Sequence, residues 1–301
     1  MRSVPDIRLG LLTGAAAVLL TAGGCADFVG AESAKYVEHE EKHFTVSGKP
    51  DVTVMTFDGS IEVRPWDRAD VQVVVEKRAV NKEAAAAIEV QSQQNGNHIV
   101  VDVKSPRRAG FELHFNDHRS AKLIVSVPAA SDVNAKSGDG SIDVEGITGR
   151  VELRSGDGSI RGRQLGGDVN AHSGDGSIRL DGVNGALNVD TGDGSIVAAG
   201  AFTSVRARSG DGSVTITAES GSSSTSDWDI TTGDGSVTVL LPEGFGAEID
   251  AHTGDGSIHT PGLTLSNVTG QAKNTVRGRL GSGGSTVRVR TGDGSITLRR
   301  S

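Results

Sequence analysis

From Phe44 onward the chain alternates apolar and polar side chains with a period of two, the pattern of strands with one face in a core and one in solvent. The clearest runs are Phe44-Thr45-Val46, Val52-Thr53-Val54, Ile61-Glu62-Val63, Val71-Gln72-Val73-Val74-Val75, Ile99-Val100-Val101-Asp102-Val103, Phe111-Glu112-Leu113 and Leu123-Ile124-Val125-Ser126-Val127, which Pro128 closes. One stretch departs from the pattern: Asn81-Lys82-Glu83-Ala84-Ala85-Ala86-Ala87-Ile88 predicts a short helix with Asn81 as its N-cap.

Beyond Pro128 a longer period sets in. Gly-Asp-Gly-Ser occurs eight times, with Asp139, Asp157, Asp175, Asp193, Asp211, Asp234, Asp255 and Asp293; the first five are 18 residues apart and the later gaps are 23, 21 and 38. Phe57-Asp58-Gly59-Ser60-Ile61 is an earlier, degenerate copy, and Ala272-Lys273-Asn274-Thr275-Val276 reads as a decayed one inside the last gap. Six, four and two residues before each Asp stand trios such as Leu187, Val189 and Thr191, or Val151, Leu153 and Ser155. An apolar residue follows each motif, as at Ile142, Ile160, Ile178, Ile196 and Val214, with polar residues such as Asp143, Arg161, Arg179 and Thr215 after it. Each repeat therefore reads as a strand, a turn and a second strand.

One motif per 18 residues suits stacked coils with parallel neighbours rather than hairpins. Burying five side chains contributes on the order of 10 kcal/mol, whereas ordering one coil costs on the order of 25 kcal/mol, so coils must stack to be stable. At the turn, the two glycines are expected to supply positive φ, and the Asp carboxylate to accept a backbone N–H two residues on. The fold class predicted is all-β: a parallel β-solenoid (β-helix) of ~18-residue coils with Gly-Asp-Gly corners over 131–301, joined to a less regular β-rich part over 44–130 that carries the helix.

The repeated Ser/Thr-Gly-Asp-Gly-Ser-Ile/Val unit, led by Phe57-Asp58-Gly59-Ser60-Ile61-Glu62-Val63 and Pro65-Trp66-Asp67, resembles the bacterial putative-adhesin family of β-strand-repeat proteins, a domain of unknown function. The resemblance runs from Phe44 to Leu298 and implies a β-solenoid on an exported protein; no binding residue can be carried over from it.

The N-terminus adds an address. Arg2 and Arg8 precede the apolar run Leu9 to Leu20, whose twelve residues would span only ~18 Å as a helix, short of the ~30 Å hydrocarbon core of a bilayer. The small residues Thr21-Ala22-Gly23-Gly24 lead into Cys25, an arrangement that resembles a bacterial lipobox. Residues 1–24 read as a signal peptide, Cys25 as a lipid attachment site, and 25–43 as a charged spacer.

Composition narrows the chemistry. With one Cys the chain forms no internal disulfide and no Cys-rich zinc site. Aromatic residues make up 3% and the net charge is −8, which argues against base stacking and phosphate-backbone binding, so no nucleic-acid partner is expected. His39-Glu40-Glu41-Lys42-His43 matches the zincin pattern, but it lies in the spacer where a strand begins, and reads as a chance match. The Asp column supplies one carboxylate per rung, whereas calcium takes six to eight oxygens; a structural role is preferred, with no metal site and no cofactor.

A further outward column stands three residues before each Asp: Lys136, Arg154, His172, Asp190, Arg208, Thr231, His252 and Arg290. It would either dock an anionic envelope polymer or offset the Asp column, and the second is the default for surface charge. No nucleophile elbow, phosphate loop or catalytic set emerges from the spacing. The expected function is that of a non-enzymatic lipoprotein, anchored to the outer face of a bacterial membrane, whose solenoid presents a binding or adhesion surface to envelope polysaccharide, an anionic polymer or a membrane protein. The alternatives are a carbohydrate-active β-helix enzyme of the polysaccharide-lyase kind and an envelope-stress or assembly accessory.

Overall fold

The computed structural model describes residues 36–105 and 119–301, so the signal peptide, Cys25 and the strand expected at Phe111 lie outside the described residues. The fold is all-β, with 23 strands and one short helix among the described residues. The first elements are β1 (Tyr36–Thr45), β2 (Asp51–Thr56), β3 (Ile61–Trp66), β4 (Asp70–Ala79), α1 (Lys82–Ala86), β5 (Glu89–Asn95), β6 (His98–Lys104) and β7 (Ser120–Pro128). The repeats supply β8 (Asp132–Ser137), β9 (Ile142–Glu145), β10 (Val151–Ser155), β11 (Ile160–Leu165), β12 (Val169–Ser173), β13 (Ile178–Thr191), β14 (Ile196–Ser209), β15 (Val214–Ala218), β16 (Trp228–Thr232), β17 (Val237–Leu241), β18 (Ala247–Thr253) and β19 (Ile258–His259). The last are β20 (Leu265–Ala272), β21 (Thr275–Leu280), β22 (Thr286–Thr291) and β23 (Ile296–Arg300).

The strands stack into two ladders, in-register and parallel through their middles. The strand before each Gly-Asp-Gly-Ser belongs to the first ladder, which runs β6–β2–β8–β10–β12, through the later halves of β13 and β14, to β16–β22–β18. The strand after it belongs to the second, β7–β3–β9–β11, the earlier halves of β13 and β14, then β15–β17–β23–β19. The chain passes from one ladder to the other across each motif, and both enclose one continuous core that extends from Phe44 to Leu298.

Inward positions are those of the sequence pattern: Val151 and Leu153 face Val169 and Ala171 in the next coil, and Ile160 faces Ile178. A third inward row, Ile147, Leu165 and Val183, also repeats every 18 residues and is buried. Towards the C-terminal end the core widens around Trp228, which meets Phe202 edge-on at 6.2 Å between ring centroids and Phe245 at 5.2 Å.

The stack does not follow chain order at its ends. The first coil, β2 and β3, lies between the coil of β6 and β7 and that of β8 and β9. The last, β22 and β23, is inserted between β16 with β17 and β18 with β19. Outer coils are closed by antiparallel strands: β5 on β6, β4 on β7 with β1 outside it, and β21 on β18 with β20 beyond. An open ladder end would template further strand pairing, and the charged β1 sequence Glu38-His39-Glu40-Glu41-Lys42-His43 discourages it.

Several expectations are corrected. Residues 36–43 are not spacer but most of β1, paired along their length with β4. The boundary at 130 does not divide the packing, because β2 and β3 of the N-terminal part stack directly on β8 and β9. Ala272 to Val276 is a hairpin between β20 and β21 rather than a decayed coil. The helix forms where expected, and the Asn81 side chain accepts the Ala84 N–H at 2.8 Å.

The motif chemistry also differs from expectation. Only Gly59 among its glycines has positive φ. The others are required because coils approach too closely for a side chain: a Cβ on Gly158 or Gly176 would fall inside 3.0 Å of the carbonyl oxygen of Gly140 or Gly158 in the adjacent coil. The Asp does not cap. That role falls to the buried Ser or Thr before the motif, as in Ser173, whose Oγ donates to Gly158 O at 2.9 Å and accepts from Gly176 N at 3.1 Å. Ser155, Thr191, Ser209, Thr232, Thr291 and Thr253 each donate to the equivalent glycine carbonyl of the neighbouring coil at 2.7–2.9 Å.

Ser173→Ala should therefore lower stability in urea unfolding by about 1–3 kcal/mol, while Ser173→Thr, which copies Thr191, should be nearly neutral. Gly176→Ala should cost ~2 kcal/mol or more because the obstacle is backbone, whereas Gly270→Ala meets only ordinary contacts and should cost little. Equal stability of the two glycine variants would contradict this packing.

Candidate functional site

Strand alternation leaves two columns of side chains on the outer face of the first ladder, three and five residues before each Asp. The parallel register brings the expected basic column into one line, with Lys136, Arg154, His172, Asp190 and Arg208 on successive rungs, then Thr231, Arg290 and His252. Arg290 precedes His252 because the last coil is inserted.

Most of this column is already engaged. Arg154 pairs with Glu152, His172 Nδ1 lies 2.9 Å from Asp190, and Arg208 Nη2 lies 2.9 Å from Asp229. Arg290 reaches Asp250 at 2.5 Å, with Arg277 on the same carboxylate at 3.0 Å, and His252 Nδ1 is 3.0 Å from Thr275 Oγ1. Lys136 has no such partner. The charges are thus offset by acids on the same face, not by the eight motif aspartates. Those carboxylates, from Asp139 to Asp293, are all exposed and engage neither a hydrogen bond nor an ion pair.

The zincin match dissolves on geometry. His39 and His43 lie four residues apart on a strand, ~13 Å along the chain, rather than one helical turn apart. His39 is 3.8 Å from Glu76, and His43 is 2.7 Å from Glu41. Among the described residues no group of three or more His, Cys, Asp or Glu is placed to hold a metal ion.

A groove lies beside the paired column. It has a volume of about 680 Å³ and runs from Arg150, just before β10, across the starts of β12, β16 and β22 and the later halves of β13 and β14. Asn170, Asn188 and Arg206 follow one another in register along its floor, and Asp229 and Arg288 continue the line. Arg150 and the aspartates two residues further towards the strand starts form its side. Asp168 accepts Ala186 N at 3.0 Å and Asp227 accepts Thr286 N at 2.8 Å, so each fastens the next rung's backbone. Sequence reasoning missed this face because it followed a single column; the repeat spacing of Asn170 and Asn188 was its visible signal.

The sequence model of Toastrack DUF4097 matches residues 50–299, nearly the whole described solenoid. The chain belongs to the Toastrack DUF4097 family. None of the curated proteins matches it. Solved structures similar to this Toastrack chain include a putative adhesin from Bacteroides fragilis, 14% identical over 89% of this chain and 100% of that chain, with a TM-score of 0.47. A putative lipid binding protein from Parabacteroides distasonis is 15% identical over 86% and 96% of the two chains, with a TM-score of 0.44. A putative cell adhesion protein from Clostridium sporogenes is 12% identical over 88% and 100%, with a TM-score of 0.30.

Electrostatics tie the Toastrack surface to pH. Burial raises the Asp250 pKa, but hydrogen bonds from Arg290 and Arg277 outweigh it and hold the carboxyl below its ordinary value. Burial likewise raises Asp132, while Lys49 and the Arg150 N–H bring it down further. Because folding lowers both values, their stabilisation is complete above the ordinary aspartate range and fades as pH falls through the lowered values. Asp250→Asn should flatten this acid-side loss in stability-versus-pH measurements; an unchanged pH profile would show the pairs to be idle.

Proposed function

We propose that this Toastrack protein is a non-enzymatic binding module of the bacterial cell envelope, exported and held to the outer face of a membrane through lipid on Cys25. In this reading the Gly-Asp-Gly segments are the corners of the solenoid. The body displays its outer columns to envelope or extracellular ligands.

The observation that carries the reading is how the ionisable groups are distributed. Acids and bases on the first ladder's face pair rung to rung along the columns, as Arg208 does with Asp229 and Arg290 with Asp250, instead of converging on one reactive point. General acid–base or nucleophilic catalysis needs distinct groups held within reach of each other and of substrate. A rigid array of repeated polar side chains over one core suits recognition of an extended partner. Lipidation rests on the small residues before Cys25.

Wild-type protein should incorporate labelled fatty acid and fractionate with membranes, and Cys25→Ser should do neither. The same variant should still retain envelope fragments in a pull-down, since the body carries the binding. Cleavage of a uronate polymer by the purified protein would overturn the non-enzymatic reading, and equal membrane association of Cys25→Ser would overturn the anchor.

A further inference from the structure

We infer that the groove across β10 to β22 is a binding site for a linear glycan lying parallel to the solenoid axis. This deepens the binding reading above and rests on it. Three features point to that ligand.

The first is shape. The groove crosses six rungs, β10, β12, β13, β14, β16 and β22, which at ~4.8 Å per step gives a trough ~24 Å long. Its volume of about 680 Å³ falls within the range of sites that enclose small ligands, here drawn out into a channel that fits a chain.

The second is the state of its polar groups. Arg150, Arg206 and Arg288 line it, and none of the three guanidinium groups makes a hydrogen bond or ion pair. This contrasts with the adjacent basic column, whose arginines are engaged. Asn188 Nδ2 donates to Asn170 Oδ1 at 3.2 Å, which fixes both amides and leaves the Asn170 amino group and the Asn188 carbonyl free. Asp168 and Asp227 each use one oxygen on a backbone N–H and keep the other as an acceptor.

The third is the mixture. Two planar amides, then a guanidinium group, a carboxylate and a second guanidinium group follow one another along the floor, offering donors and acceptors that match vicinal hydroxyls on successive sugar rings. Asp168, Asp227 and Asp229, the last already paired with Arg208, stand among the three arginines, so the trough carries both signs and is not a general polyanion track. The shared chemistry is a hydroxyl-rich chain of linked rings, neutral or carrying uronate carboxylates. Insertion of the last coil completes the site, because it sets Arg288 beside Asp229 where chain order would have placed Asp250.

The test applies the full chain to immobilised linear oligosaccharides of two to eight units, in neutral cello- and chito-series and in an oligogalacturonate series. Binding should strengthen with length until the trough is filled and then level off. Asn188→Ala combined with Arg206→Ala should weaken it at least tenfold, with circular dichroism and melting confirming an intact fold. Arg179→Ala, on the second ladder's outer face, should leave it unchanged. Preference for the uronate series that collapses in 0.5 M salt would assign an acidic glycan; salt-insensitive binding to a neutral series would assign a neutral one, and either supports the site. No binding to any series, or full binding by the folded double variant, would overturn it. If envelope fragments are nevertheless retained, only the groove assignment falls; if they too are lost, the binding reading falls with it.

Discussion

Close approach between backbones of successive coils governs this molecule. At the passages between ladders from Gly156 to Gly233, and again at Gly292, the Gly N–H donates to the glycine carbonyl of the coil stacked before it, as Gly210 does to Gly192 at 2.5 Å and Gly292 to Gly233 at 2.7 Å. A buried hydroxyl from the preceding strand bonds to the same neighbouring segment. Backbone polar groups buried at a bend need partners, and here the adjacent coil supplies them. The absence of Cβ atoms lets the coils meet at that spacing, and the Ser or Thr fills the space and the hydrogen bonds that remain. In-register columns on the outer faces follow directly from the same geometry.

Stacking of this kind leaves two open ends, and both are handled alike. A coil remote in the sequence is slotted inside the terminal coil, and antiparallel strands then cover the edges. The N-terminal cover is reinforced by Lys77, nearly buried, which lies 2.8 Å from Glu40. The C-terminal insertion is reached through Gly281-Ser282-Gly283-Gly284-Ser285, in which Gly281 has a φ of 58°. Insertion ties the C-terminal strands β22 and β23 into the middle of the ladders, so fraying there must break pairing on two sides, whereas β1 stays at the outer edge, paired with β4 alone. It also determines which charges meet on the outer face, including the placing of Arg288 in the groove.

Much of the fold was legible in the sequence, because the inward trios and the 18-residue period report side-chain burial directly. The inward row Ile147, Leu165 and Val183 was equally periodic but fell where strand alternation breaks, so a two-residue template passed over it. Insertion of the last coil left no local mark: Asp255 and Asp293 carry the same motif, and nothing in their spacing says which stacks on Asp234. The motif itself misled by its composition. Gly and Asp are turn formers by propensity, yet here glycine serves proximity and the Asp side chain makes no bond, while the capping Ser and Thr looked like ordinary inward positions. On the surface, the basic column was found from sequence, but its engagement with Asp190, Asp229 and Asp250 depends on which coils are neighbours.

The order and register of the coils can be measured by disulfide formation between outward positions, with Cys25 replaced by Ser to remove the only native thiol. Thr238 is the register partner of Thr297, and Thr297 in turn of His259. Paired cysteines at 238 and 297, and at 259 and 297, should therefore oxidise readily within monomers, because adjacent rungs lie within disulfide reach of ~4.4–6.8 Å. Cysteines at 238 and 259, two rungs apart, should stay reduced. Rapid bonding of 238 to 259, with neither joining 297, would mean that the coils stack in chain order and would contradict the structure described.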